Sequence, residues 1–599
     1  MVQENHSPPT TGASIIARTL RNLGVSVIFG IVGVPVSDIA EQAIDIGIRF
    51  IGFRNEQAAS YAATAYGYLT GRPGVCLVVG GPGVLHAIAG VGNAGGNNFP
   101  LLLLGGSIET HLVTKGAFQE MDSIVLLSPQ TKISSRPLNI EMLPSMIANA
   151  YRTAFYGRPG SAFIDLPADL INGPINPEDI GDVPDILKVA SPPKAAADVE
   201  KLSQVASLLR TAQAPLVVVG KGAAYARAEN VICKFIDQTH IPFLPSPMGK
   251  GVVADSHPQN VSSARSAAMK MADVVLILGA RLNWIMHYGE APKWNTKASF
   301  IQVDISPEEL GRNAADAELS LLGDVSVIIA QLIRALKGWS HSPDPKFSQQ
   351  LTQAKQKNEH VSSLAAQDDS IPLTYAHTFS IIKTALDTLS PPSSGGICYV
   401  AEGANTMDIS RSIFHLEHPR LRLDAGTFAT MGVGLPYAIA AWEAYNAPHA
   451  QASSGPAPHK KIVAIEGDSA FGFSGMEVET MARFGMDVLI FVVNNSGIYF
   501  GDSNSVEDFE AKRERTARGE PGLRSWALGF ETKYEKLAEA CGGVGYLVRS
   551  PEELRKATVQ GFKAKVPVIV NVIIQSGKVE KPSFGWQVTP KKKEKVSRL

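Results

Sequence analysis

At 599 residues the chain exceeds a single hydrophobic core and predicts about three or four domain-sized units. Its 55 basic and 56 acidic side chains nearly cancel, which argues against a nucleic-acid binder or a membrane-surface binder. No apolar run is long enough to span a bilayer, and the scattered Cys76, Cys233, Cys398 and Cys541 lack metal-ligand spacing, so they read as reduced thiols, mostly buried, of an intracellular protein.

Residues 1–11 read as a short disordered lead without a signal-peptide core. Residues 13–23 carry helical periodicity, and 25–29 read as a strand closed by Gly30-Ile-Val-Gly-Val-Pro35 before a helix over 37–46, which opens a βαβ unit. The strand 48–53 leads into Arg54-Asn-Glu-Gln-Ala-Ala59. Glu56 therefore falls where a parallel strand gives way to a helix, at the ligand-binding edge of such a sheet. Buried strands over 75–79 and 101–104 end in Gly80-Gly-Pro-Gly83 and Gly105-Gly106. A polar loop, Gly116-Ala-Phe-Gln-Glu-Met-Asp122, follows, and 163–167 closes the unit. Residues 174–194 are rich in Pro and Asp and read as a linker.

A second α/β unit has strands over 215–219, 242–244, 274–278 and 300–303. They end in Gly220-Lys-Gly222, Pro245 to Gly251, Gly279-Ala-Arg-Leu-Asn283 and Asp304. Residues 341–369 are polar, a linker with a surface helix. The third unit starts near 372; within it 447–460 reads as an exposed insertion, and 501–524 as a charged segment that orders over the site. A last strand covers 568–574, and a basic tail ends in Ser597-Arg-Leu599. The expected divisions are 1–190, 191–340, a linker 341–371, and 372–599.

The third unit holds the strongest signal. An apolar strand from Val463 runs into Gly467-Asp468-Ser469, and another runs into Asn494-Asn495. A carboxylate and an amide oxygen at neighbouring strand ends suit a hard cation such as Mg2+, which keeps positions open for phosphate oxygens. Gly467 lets the backbone approach a diphosphate, and Ser469 with the amides after it can donate at a helix start. Either turn alone is ordinary turn chemistry; the two together, on strands of this kind, point to a ligand site.

This pair resembles the diphosphate and metal motif of thiamine diphosphate enzymes, Gly-Asp-Gly followed by Asn-Asn. Ser469 replaces the last Gly, a departure found in the acyl-CoA branch. The runs Arg54 to Ala59, Gly116 to Glu120, Gly279 to Trp284, Glu402 to Asp408, Asp424 to Phe428, Thr430 to Gly434 and Glu466 to Glu477 extend the likeness over nearly the whole chain. The sequence is similar to the branch that contains 2-hydroxyacyl-CoA lyases and oxalyl-CoA decarboxylases. The resemblance implies three doubly wound parallel-sheet α/β domains: an N-terminal pyrimidine-binding domain, a central domain, and a C-terminal diphosphate-binding domain. It also implies active sites between subunits, hence a dimer at least and usually a tetramer.

The resemblance assigns residues as well. Metal ligands are Asp468, Asn495 and the Gly497 carbonyl. Glu56 is the acid that meets the cofactor's pyrimidine ring. Met431 lies under the cofactor, and the Ala429 carbonyl accepts from its amino group; the family has Gly at that position. Asn405, Thr406, Gly467, Ser469, Ala470 and Ile498 are the remaining cofactor contacts. Gln119, Glu120 and Tyr499 line the reacting carbon. In the central domain Lys221, Arg265, Arg281 and Asp304 are candidates to hold the phosphates and ribose of CoA or ADP.

The implied activity is a thiamine diphosphate- and Mg-dependent carbon–carbon lyase that cleaves a 2-hydroxyacyl-CoA to formyl-CoA and a shortened aldehyde, as in fatty acid α-oxidation. Oxalyl-CoA decarboxylation and acetolactate synthesis are rival readings on the same machinery. A non-catalytic cofactor-binding scaffold is the rival from another class. Asn55 stands where the decarboxylase has His, and Phe118-Gln119-Glu120 where it has Tyr-Glu-Glu; both favour the lyase. Ser597-Arg-Leu599 is a variant of the Ser-Lys-Leu address. It points to the peroxisome matrix through the import receptor, or to the cytoplasm if it is not read.

Overall fold

The computed structural model describes residues 10–175, 189–452 and 458–577. Residues 1–9 of the expected lead, most of the first linker, part of the 447–460 insertion and the tail with Ser597-Arg-Leu599 lie outside the described residues, whereas Thr10 and Thr11, read as part of the disordered lead, form a strand.

The continuous apolar runs become the inner strands of three parallel sheets, each covered on both faces by helices, as such runs require. Leu101–Ser107 and Ile397–Glu402 are buried along their whole length. The N-terminal sheet runs in the order Arg49–Gly52, Val27–Gly30, Gly74–Val78, Leu101–Ser107, Ser161–Pro167, Ser134–Ser135. The central sheet runs Phe243–Pro245, Pro215–Val219, Val274–Leu278, Ser299–Asp304, Leu321–Leu322. The C-terminal sheet runs Arg422–Asp424, Ile397–Glu402, Lys461–Gly467, Leu489–Asn494, Val568–Ile573, Val544–Val548. A small antiparallel pair joins Thr10–Thr11 to Pro174–Ile175.

The three sheets share one topological feature. In each, the first strand has the second on one side and the third on the other. The chain direction therefore reverses beside the first strand, and a crevice opens at the carboxyl ends there. The three crevices fall at Gly30 with Gly80-Gly81, at Gly220-Lys221 with Gly279, and at Gly403 with Gly467-Asp468. Gly220 and Gly279 show why glycine stands at the second. A side chain on Gly220 would meet the Gly279 carbonyl oxygen at 2.1 Å, and Gly279 has φ +58°.

Some elements differ from expectation. Leu101–Ser107 carries Gly105 and Gly106 inside the strand rather than in the turn after it. Val84 and Phe163 crowd the first and Pro35 and Val36 the second, so both are close-packing glycines. Between Asp468 and Asn495 the helical pattern over 475–484 is the helix Glu477–Arg483, and a further short helix, Asp468–Ser474, precedes it. The edge strands Ser134–Ser135, Leu321–Leu322 and Val544–Val548 are short or half-exposed and carry little apolar pattern. The surface helix expected within the 341–369 linker is Pro345–Ala366, which buries only Phe347 and Leu351. No described helix is long and apolar enough to cross a membrane. The four cysteines are free, with Cys76 and Cys398 buried and the other two half-buried.

Helix Glu56–Thr70 packs between helix Pro82–Asn97 of its own domain and helix Gly434–Asn446 of the C-terminal domain. Asn93 Nδ2 donates to the Tyr437 hydroxyl (2.8 Å) and to Thr64 Oγ1 (3.0 Å) across that contact. Arg49 pairs with buried Glu443 at 3.0 Å. Arg420 pairs with Glu229 at 2.8 Å and ties the C-terminal domain to the central one.

Candidate active site

The C-terminal crevice gathers most of the expected cofactor residues. Strand Lys461–Gly467 ends in Gly467, and Asp468 begins the next helix with its carboxylate buried. Asp468 Oδ1 accepts from Ser469 N (2.8 Å). Asp468 Oδ2 and Asn495 Oδ1 both accept from Gly497 N, at 3.1 and 3.2 Å. A carboxylate oxygen and an amide oxygen thus converge on one point. Burial pushes the Asp468 carboxyl up to about 7, and no ion pair to it exists among the described residues. From the neighbouring strand, Gly403 turns with φ +97° into the helix of Asn405 and Thr406. Asn405 Nδ2 and Asn495 Nδ2 both donate to the Tyr499 carbonyl, at 2.9 and 2.8 Å. Ala470 is buried behind Asp468, while Ile498 and Tyr499 are exposed at the crevice mouth.

The loop of Ala429 and Met431 stands beside this crevice. Its prop is Glu402, whose carboxylate accepts from Gly432 N and from Gly434 N, the latter at 2.6 Å. Glu402 is fully buried opposite Glu466 on the paired strand. Burial lifts Glu402 to about 7, and burial with the like charge of Glu402 lifts Glu466 well above the carboxylate range, so the pair retains a proton. Sequence reasoning missed this role for both acids. Strand-end glutamates carry no pattern that announces such a buried acid pair. Ala429, Gln119 and Tyr499 all have left-handed backbones, with φ of +56°, +60° and +77°. Strain of this kind concentrates at functional sites.

Glu56 opens its helix, and Asn55 caps that helix by accepting from Gln57 N at 2.7 Å. Glu56 Oε2 lies 2.9 Å from Nδ1 of His86, a residue that sequence reasoning also missed. The loop of Gln119 rests on the Gly80-Gly81 turn: a side chain on Gly81 would meet the Gln119 carbonyl at 2.6 Å. The Glu120 carboxylate accepts from the amides of Thr114, Gly116 and Ala117, which hold it below the usual carboxylate range. That commitment makes Glu120 a brace of its own loop rather than a free base. Phe118 projects into solvent, 72% exposed. No hydrogen bond or ion pair joins Glu56 to Asp468, Asn495 or Gly497 within one chain among the described residues.

The central crevice opens into a cavity of about 740 Å3 between the three domains. Lys221, Arg281 and Asp304 line it, together with Arg158 and Arg227. Arg265 does not; its guanidinium donates to the Ile285 carbonyl at 2.9 Å, and burial lowers it to about 10. Burial, then neighbouring Arg281, holds the Lys221 ammonium well below the usual lysine range, and burial raises Asp304 to about 6. Lys221 Nζ donates to Asn97 Oδ1 (2.8 Å), which also accepts from Thr427 N (2.8 Å). Arg281 donates to the Gly96 carbonyl (2.7 Å), and Trp284 Nε1 to the Thr427 carbonyl (2.9 Å). The cavity wall is therefore hydrogen-bonded to the segment that leads into Ala429.

The residues present fit a divalent cation shared with a diphosphate. The three candidate ligands are oxygens, one of them a buried carboxylate without a counter-charge. Among the described residues no cluster of three His, Cys, Asp or Glu offers a site held by side chains alone.

Comparison with known proteins defines the class. Residues 10–126 match the N-terminal TPP binding domain of thiamine pyrophosphate enzymes, 202–332 the central domain, and 402–572 the C-terminal TPP binding domain. The chain belongs to the thiamine pyrophosphate enzyme family. It is 44% identical to human 2-hydroxyacyl-CoA lyase 1, covering 97% of this chain and 98% of the relative. It is 40% identical to the 2-hydroxyacyl-CoA lyase of Arabidopsis thaliana (95% and 96%) and 37% identical to the oxalyl-CoA decarboxylase of Escherichia coli (94% and 95%). These relatives define its branch of the family.

Proposed function

We propose that this protein is a thiamine diphosphate- and Mg-dependent lyase that cleaves 2-hydroxyacyl-CoA into formyl-CoA and an aldehyde shortened by one carbon. The cofactor, when bound, supplies the carbon nucleophile and the electron sink for the bond that breaks. Asp468, Asn495 and the Gly497 carbonyl hold the cation; Gly467, Ser469, Ala470, Asn405, Thr406 and Ile498 surround the diphosphate. Glu56 meets the pyrimidine ring, and Ala429 with Met431 supports the cofactor from the other side. Glu56 and Asp468 act in one site contributed by two subunits, so the working unit is at least a dimer, with a tetramer as the expected assembly. Lys221, Arg281 and Asp304 offer a cation-rich, partly desolvated wall to the nucleotide of the thioester or to ADP.

The observation that carries the lyase over the decarboxylase is the Gln119 loop. It presents an exposed phenyl ring and an amide, and its Glu120 is tied to backbone amides. An apolar acyl tail gains about 0.8 kcal/mol for each buried methylene on such a surface. A second carboxylate, as oxalyl-CoA carries, gains no cationic partner from that loop. Glu120, Gln119 and Tyr499 line the reacting carbon, with Gln119 and Tyr499 rather than Glu120 contacting substrate.

The test is product identification with a panel of acyl-CoA thioesters. We expect formyl-CoA and aldehyde, with kcat/KM that rises with chain length until the pocket is full. Faster carbon dioxide release from oxalyl-CoA would make the protein the decarboxylase; no turnover of any thioester would make it a scaffold. Residence in the peroxisome matrix is the matching location. A fluorescent fusion without Ser597-Arg-Leu599 should then lose the punctate distribution of the full-length fusion.

A further inference from the structure

We propose that His86 is a positioning residue for Glu56, holding one carboxyl oxygen so that the other is presented to the cofactor ring; this rests on the thiamine diphosphate reading above. Glu56 is the first residue of its helix, where unbonded backbone amides attract a carboxylate. A glutamate there, with three rotatable side-chain bonds, would ordinarily fold back onto them. Two residues prevent that. Asn55 already caps the helix through Gln57 N, so the end does not need Glu56. His86, in the second turn of the adjacent helix Pro82–Asn97, reaches Glu56 Oε2 with Nδ1 at 2.9 Å. The two atoms share one hydrogen, whichever side carries the proton.

The surroundings leave His86 as the partner that fixes the carboxyl plane. Cys76, on the strand beneath, is fully buried, and burial followed by the nearby Glu56 charge keeps its thiol protonated. Among the described residues no hydrogen bond engages Glu56 Oε1. The Glu56 side chain is only 15% exposed, whereas His86 is 62% exposed, so the imidazole reaches Glu56 from the open side and does not anchor the core. A carboxyl tethered at Oε2 and open at Oε1 is oriented before a ring nitrogen arrives, which removes an orientational cost from proton transfer.

The experiment compares wild type, His86→Leu and His86→Asn, each reconstituted with thiamine diphosphate and Mg2+. Asn carries an amide nitrogen at the same distance from the backbone as Nδ1. Two quantities are read: hydrogen–deuterium exchange at the thiazolium carbon of the bound cofactor, and cofactor Kd from tryptophan fluorescence. We expect exchange in His86→Leu to slow by about tenfold to a hundredfold, with Kd changed by less than about threefold and the thermal midpoint unchanged. His86→Asn should return exchange to within about threefold of wild type. Wild-type exchange in His86→Leu, or equal impairment in both variants, overturns the proposal. A wild-type protein that binds no thiamine diphosphate overturns the underlying reading instead.

Discussion

Asp468 shows how one side chain links burial to ligand and to pH. Its carboxyl is raised from the ordinary 3.8 to about 7 by burial. A folded value above the unfolded one means that this group stabilises the cofactor-free chain fully at low pH, and that its contribution is lost as pH rises from about 4 through about 7. A cation binds only the ionised form, so affinity for Mg2+ should climb over the upper part of that window. We expect the thermal shift conferred by Mg2+ with thiamine diphosphate to grow from about pH 5.5 to about pH 7.5 and then level. Asp468→Ala should show no shift at any pH, and equilibrium dialysis should find no retained cofactor. Ala429 offers a second test. At φ +56° a methyl group is strained, by about 1 kcal/mol. Ala429→Gly should be neutral or stabilising by up to about 1 kcal/mol, because relief of strain offsets the added freedom of the unfolded chain. Ala429→Val should lose about 2 kcal/mol, since β-branched residues rarely adopt that conformation. Urea unfolding of the pair checks the order.

Between elements, the connection that matters runs from the central cavity to the loop of Ala429 and Met431. Helix Pro82–Asn97 carries both Asn93 and Asn97. Asn93 Oδ1 accepts from Thr430 Oγ1 at 2.9 Å, and Asn97 Oδ1 accepts from Lys221 and Thr427. Asn97→Leu keeps the branched heavy-atom shape and strips the Lys221 ammonium and a backbone amide of their acceptor. It should cost about 2 kcal/mol by thermal unfolding, whereas Lys221→Met should cost less, because it leaves Asn97 bonded to Thr427. At this scale the sequence was readable wherever an apolar run ended in glycine. Pro215–Val219, Val274–Leu278 and Lys461–Gly467 lie almost where the pattern put them. It was unreadable at the sheet edges: Ser134–Ser135 has no apolar alternation and becomes a strand only because Ser161–Pro167 offers it a free edge.

For the whole molecule, the decisive point is that among the described residues no hydrogen bond or ion pair joins Glu56 to Asp468 within one chain, while apolar side chains stand exposed in both domains. Val34, Leu85 and Phe118 lie on the N-terminal side, and Phe428, Phe473 and Met476 on the C-terminal side. Burying such patches is what subunit association does. If each site takes Glu56 from one subunit and Asp468 from the other, two inactive variants should complement. Glu56→Gln and Asp468→Ala, each inactive alone, should recover about a quarter of wild-type activity when refolded together in equal amounts, since half the dimers then hold one complete site of two. Zero recovery would place both residues in the same subunit's site.

The sequence by itself determined the family and the three-domain α/β class, and it singled out the residues proposed to hold the cofactor. Local chemistry is enough for these: a carboxylate after a strand-end glycine and an amide after the next strand already describe a cation and a phosphate. What the tertiary structure alone decided are the partnerships of residues far apart in the chain. Glu402 props Gly432 and Gly434, His86 holds Glu56, Lys221 answers to Asn97, and Arg265 turns away from the cavity that Lys221 and Arg281 line. Each of these is a buried or half-buried polar group whose partner is set by how strands and helices stack. Desolvation makes an unpaired group costly, so packing selects the pair, and no spacing along the chain encodes it.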